Sequence, residues 1–210
     1  MSDEQSGQYG GDGYRHVLEL AWDQLLSCDP KGVARDARAR LDGGRMALPF
    51  LGREALVDLR SRTMTIDGKS ASVAEGILAL HYLAGARSAS PTGEWISFRQ
   101  LPGGHAYFGA FKRRTIDGIA ALFQRRPVSL VAAARGLGGS ELSIGDASVR
   151  LDVFPKVPVA VVVWAGDDEI DGSANVLFDE TAPMHLPVED LAVIGAIVHD
   201  ALSDAVRRSS

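Results

Sequence analysis

A chain of 210 residues with 46% hydrophobic and 23% charged side chains is long and apolar enough to bury its own core without disulfides or structural metal. A lone cysteine, Cys28, excludes an internal disulfide and an iron–sulfur cluster held by this chain alone, and it suits a reducing cytoplasm. The formal charge of −5 argues against a nucleic-acid binder, and the longest apolar run, Val157–Ala165, is well short of the roughly 18 residues of a membrane span, so a soluble protein is expected.

Residues 1–13, polar and glycine-rich, read as a disordered tail, leaving 14–208 as a single domain. Val17, Leu18, Leu20, Ala21, Leu25 and Leu26 recur at helical spacing after Tyr14. Asp29-Pro30 is an N-cap followed by a first-turn proline, which predicts a second helix over about 30–40. Met46–Leu51, Glu54–Leu59 and Thr63–Ile66, divided by turn residues, predict an antiparallel meander. Ser72-Val-Ala-Glu75 is a capping box that opens a helix reaching about Leu83.

Glu94–Leu101 reads as a strand, and Pro102-Gly103-Gly104 as a sharp reversal completing a hairpin. Thr115 is placed as the cap of a helix over about 116–125, and Val128–Leu137 as a further helix. Gly136-Leu-Gly-Gly139 follows that helix rather than a strand, so it is a C-cap and not a phosphate loop. Ser148–Phe154 alternates as a half-buried strand, Val159–Trp164 is continuously apolar as in a central strand, and Asn175–Phe178 is its candidate partner. Pro187 starts a long C-terminal helix with Leu191, Ile194, Val198, Leu202 and Val206 on its buried stripe. The expected class is α+β, a mainly antiparallel sheet packed with helices.

Charge is uneven along the chain. Arg99 to Arg150 holds eight cations against Asp117, Glu141 and Asp146, whereas no lysine or arginine lies between Lys156 and Arg207. The acidic last third is one candidate surface for a basic protein partner, making an adaptor one reading of the chain. Asp167, Asp168 and Glu169 form a carboxylate cluster after the strongest strand; with His185 they are candidate ligands for a divalent metal in a metal-dependent enzyme. Trp95, Arg99, His105, Tyr107 and Phe111 are candidate ligand-binding residues, rings supplying apolar area and Arg99 a partner for carboxylates.

The segments LPFLGR (48–53), LALHYL (78–83), GEWISFRQLPGG (93–104), AYFGAF (106–111), RLDVFPKVPVAVVVWAGDDE (150–169) and NVLFDETAPMHLPVEDL (175–191) resemble the bacterial and archaeal family called domain of unknown function 3786. That resemblance implies a setting of anaerobic redox or cofactor metabolism, with corrinoid or other tetrapyrrole chemistry. Some relatives carry a four-cysteine iron–sulfur module before this domain, which Cys28 alone cannot supply. The favoured expectation is a cytoplasmic module binding a planar or anionic small molecule or cofactor, whose other partner would be a protein of redox or cofactor metabolism, with neither nucleic acid nor membrane as partner.

Overall fold

The computed structural model describes residues 6–167 and 169–209, with the backbone alone for 6–12 and 209. Residues 1–5 of the expected tail and Asp168 of the acidic cluster lie outside the described residues. The chain is α+β, with two antiparallel sheets, and divides into two compact units: residues 1–48 with 54–88, and residues 49–53 with 89–210. No helix among the described residues is long and apolar enough to cross a membrane.

The first unit holds helices α1 (Ser6–Leu26) and α2 (Pro30–Ala37) and, residues 49–53 apart, the meander of β1 (Arg40–Asp42), β2 (Arg45–Phe50), β3 (Arg53–Asp58), β4 (Thr63–Ile66) and β5 (Lys69–Ser70), paired in chain order. Helix α1 begins within the stretch expected as tail. Asp29 caps α2, accepting the Gly32 amide at 2.8 Å, and Arg38 ends it in the left-handed region. Helix α3 (Val73–Gly85) opens on the capping box: Ser72 Oγ accepts the Glu75 amide at 3.3 Å, and Glu75 Oε2 accepts the Ser72 amide at 3.0 Å. Such a cap contributes about 1 kcal/mol. Buried Ala21, Trp22 and Leu25 of α1 pack with α3, whose buried Tyr82 donates to the Ala37 carbonyl at 3.0 Å.

The second unit is built on a sheet of β6 (Trp95–Ser97), β7 (Ser140–Leu142), β8 (Ala147–Phe154), β9 (Val157–Trp164) and β10 (Ser173–Asp179) in the order β6-β10-β9-β8-β7. β9 is central and buried from Val157 to Val163, as its unbroken apolar run requires. Where β7 stops opposite Arg150, the Pro49–Arg53 segment takes over the edge of β8, Leu51 donating to the Val153 carbonyl at 3.0 Å with Phe50 and Phe154 ring centroids 5.2 Å apart. At the opposite edge, buried Asp179 of β10 accepts from the Gly93 amide (2.7 Å), the Thr92 amide (3.3 Å), the Thr181 amide (3.1 Å) and the Thr181 hydroxyl (2.6 Å).

The stretch expected as a hairpin is strand, turn and helix instead. β6 ends at Ser97, residues Phe98–Gln100 form a 3-10 turn, and helix α4 (Gly104–Phe111) follows. Gln100 Oε1 accepts both the Ser97 amide (2.9 Å) and its hydroxyl (2.7 Å), closing the turn where a second strand would have to leave. Gly103, at φ +79°, starts the helix, and a side chain at Gly104 would overlap the Phe98 carbonyl oxygen. With this segment helical, Tyr107 and Phe111, four residues apart, lie one turn apart on the same face.

Thr115 likewise caps nothing. Helix α4 passes through a π-helical turn (Lys112–Ile116) into α5 (Asp117–Phe123) without interruption, and Thr115 is buried inside that turn. Helix α6 (Val128–Arg135) follows, and α7 (Val188–Ser209) ends the unit with Leu191, Ile194, Val198 and Leu202 fully buried. Phe98 and Phe111 stack with centroids 4.0 Å apart, each 6.1 Å from Phe178, an aromatic cluster that fastens α4 to the sheet.

Candidate ligand groove

Helix α4 with its π-turn runs alongside α7 in a single register. Tyr107 meets Glu189, a side chain at Gly195 would overlap the Phe111 ring and approach Thr115 Oγ1 to 2.9 Å, and one at Gly118 would approach His199 Nε2 to 2.5 Å. The partners advance together along the chain, so the two helices are parallel. Glycine at 195 lets the backbones come close there; beside that point, small side chains leave a gap.

The gap is a groove of about 240 Å³. One wall carries Tyr107, Ala110, Phe111 and Arg114; the other carries Glu189, Ala192, Val193 and Ala196. Both sets fall at i, i+3, i+4 and i+7, the positions that share one helix face. Alanine at three of these eight positions is what keeps the seam from filling.

The groove is apolar in its middle and charged at its ends. At one end the Tyr107 hydroxyl donates to Glu189 Oε1 at 2.8 Å. Glu189's own amide, and then the Tyr107 hydroxyl, hold its carboxyl below the usual range; the same bond raises the Tyr107 hydroxyl above its ordinary value. At the other end stands Arg114, exposed and without a carboxylate partner among the described residues. Nearby Lys112, in contrast, is paired with Asp117. The arrangement offers a cation, an apolar floor and a carboxylate in a row.

Of the five ligand-binding candidates, Tyr107 and Phe111 meet here. Trp95 is half-buried in β6, opposite Asp179. Arg99 lies exposed with its guanidinium 4.1 Å above the Phe108 ring, and His105 is exposed in the first turn of α4; none of these three lines the groove. Arg114 and Glu189 are the groove's functional groups that sequence reasoning did not single out. Their signal was the matched i, i+3, i+4, i+7 spacing on both helices, which becomes visible only once the two are known to be neighbours.

The metal candidates are separated by the sheet. The β9–β10 register pairs Trp164 with Ser173 at one end and Val159 with Phe178 at the other. Asp167 follows β9 and so lies at the first end, whereas His185 follows β10 and lies beyond the second, roughly 17 Å away along five residues of strand. Asp167 accepts the amides of Glu169 (2.9 Å) and Ile170 (2.8 Å), which hold its carboxyl below the usual range and shape the loop. Among the described residues no group of three or more His, Cys, Asp or Glu is placed to hold a metal ion.

No curated protein and no solved structure matches the chain. The sequence pattern of one family does match, over residues 29–201, which spans α2 to the middle of α7 and includes the whole groove. The chain therefore belongs to the domain of unknown function family DUF3786.

Proposed function

We propose that this chain is a small-molecule-binding module whose ligand lies in the α4–α7 groove as an organic anion with an apolar body. The observation that carries this reading is Arg114, a guanidinium without a carboxylate partner among the described residues, at the mouth of an apolar seam. A guanidinium in that position pairs with a carboxylate through two parallel hydrogen bonds, while Phe111, Val193 and the three alanines cover the ligand's hydrocarbon.

Size narrows the class. Pockets that enclose drug-sized ligands hold about 300–1,000 Å³, and this groove is smaller, at about 240 Å³. An intact tetrapyrrole or corrinoid ring would lie largely outside it, and no histidine lines it to ligate a central metal. The cofactor-metabolism setting implied by the family thus reduces, at this site, to a short carboxylic acid or the acid-bearing edge of something larger. The single Cys28 is compatible with a cytoplasmic protein.

Thermal melts with butyrate, hexanoate, octanoate and their ω-amino forms at millimolar concentration test the reading. At least one acid is expected to raise the melting temperature of the wild type, and none to do so in Arg114→Gln or in Ala192→Leu, which fills the floor. No shift with any acid, or the same shift in both variants, overturns it.

A further inference from the structure

The two ends of the groove carry opposite charge, and the proposed function uses only one of them. Resting on that same reading of the site, we propose that the ligand is a short zwitterion, an ω-amino carboxylate whose carboxylate pairs with Arg114 and whose ammonium pairs with Glu189. Tyr107, bonded to Glu189 at 2.8 Å, marks one end, and Arg114 is seven residues further along the helix, about 10 Å at 1.5 Å per residue. Both residues line the groove, and a chain of about four to six methylenes spans a separation of this order.

The middle of the groove selects for hydrocarbon. The side chains of Ala110, Phe111, Ala192 and Val193 offer no hydrogen bond, so a polar group held between the ends would lose water without replacement.

Electrostatics disfavour the one-ended alternatives. A simple acid that fills the groove brings its far end against Glu189 with nothing to offer it. A simple amine has the same difficulty at Arg114. Tyr107 and Glu189's own amide leave part of the carboxylate's roughly four acceptor positions open, so a further donor has room.

Isothermal titration calorimetry on the full chain, with 6-aminohexanoate, hexanoate and hexylamine as probes, decides the matter. The zwitterion is expected to bind about tenfold more tightly than either one-ended probe. Glu189→Gln should erase that advantage by weakening 6-aminohexanoate about tenfold while leaving hexanoate unchanged or tighter. Arg114→Gln should weaken both acids. Hexanoate binding as tightly as 6-aminohexanoate, with both still dependent on Arg114, overturns the zwitterion and leaves the anion site standing. No binding by 6-aminohexanoate at millimolar concentration overturns the zwitterion assignment, and if every acid in the melting series is also silent the groove is not a ligand site. Should either variant fail to fold, the ranking of the three probes on the wild type decides alone.

Discussion

Replacing Asp179 by alanine tests the anchoring of the sheet edge from which α4 departs. The carboxylate is fully buried and accepts four hydrogen bonds, from Gly93 N, Thr92 N, Thr181 N and Thr181 Oγ1. Burial alone would raise its pKa, but the Thr181 hydroxyl and the amides of Gly93, Thr181 and Thr92 outweigh that and hold it below the usual value of 3.8. Thr92 and Gly93 are exposed and regain water when the carboxylate is gone; Thr181 is buried and does not. Two stranded donors at about 1–3 kcal/mol each put the cost at roughly 2–6 kcal/mol. In Asp179→Asn the remaining oxygen still serves some of the donors while the new NH2 faces the others, so its loss should be smaller, about 2 kcal/mol.

The assay is urea unfolding at pH 7 together with amide hydrogen exchange at Thr92, Gly93 and Thr181. A lower midpoint at unchanged slope, with lost protection at those three amides, is the expected result. The sign with pH follows from the lowered pKa: this stabilisation is full above about pH 4 and disappears as pH falls through the folded-state value. A loss below about 0.5 kcal/mol with protection intact would refute the argument, since no buried donor would then have been stranded.

Three further outcomes are expected. Gly195→Ala should cost about 1–3 kcal/mol by thermal or urea unfolding, because the new methyl overlaps Phe111 and crowds Thr115; a neutral effect would mean the two helices are farther apart than described. Thr115→Val should be neutral or stabilising by up to about 2 kcal/mol, since the buried hydroxyl makes no hydrogen bond with a described residue; a loss above about 1 kcal/mol would show that it has a partner. Asp58, held by Arg45 at 2.8 Å and by the amides of Ser61 and Arg60, has its pKa pushed down from 3.8 to about 2, so its contribution to stability fades as pH falls from about 4 toward 2. Carbon-detected NMR titration should place its midpoint near 2 and Arg45→Gln should move it upward; a midpoint at the ordinary value in both proteins contradicts the pairing.

Where local chemistry was sufficient, the sequence could be read directly. The Ser72–Glu75 box, the Asp29-Pro30 cap and the unbroken Val159–Trp164 run each dictate a conformation through neighbours within about four residues. The stretch from Ser97 to Phe111 was misread because Pro102-Gly103-Gly104 permits either a hairpin reversal or a helix start. The choice fell to contacts distant in sequence: Phe111 stacks on Phe98 and both pack near Phe178, which a returning strand would not allow. Thr115 was misread for a related reason, since a threonine before an apolar helical run looks like a cap whether or not the helix has already begun.

The groove shows the same division at the level of function. By itself the sequence determined that Tyr107 and Phe111 share a helix face if that segment is helical, that α7 is amphipathic, and that the cations gather before Arg150 and the acids after Lys156. Only the tertiary structure decided that α4 and α7 are parallel neighbours, that the gap left by their alanines lies between Arg114 and Glu189, and that Asp167 and His185 stand at opposite ends of β9 and β10. The physical reason is that helix and strand periodicity record which side of an element is buried, through interactions spanning a few residues. Which buried sides face one another is settled by packing between segments some eighty residues apart, and no local pattern encodes that distance.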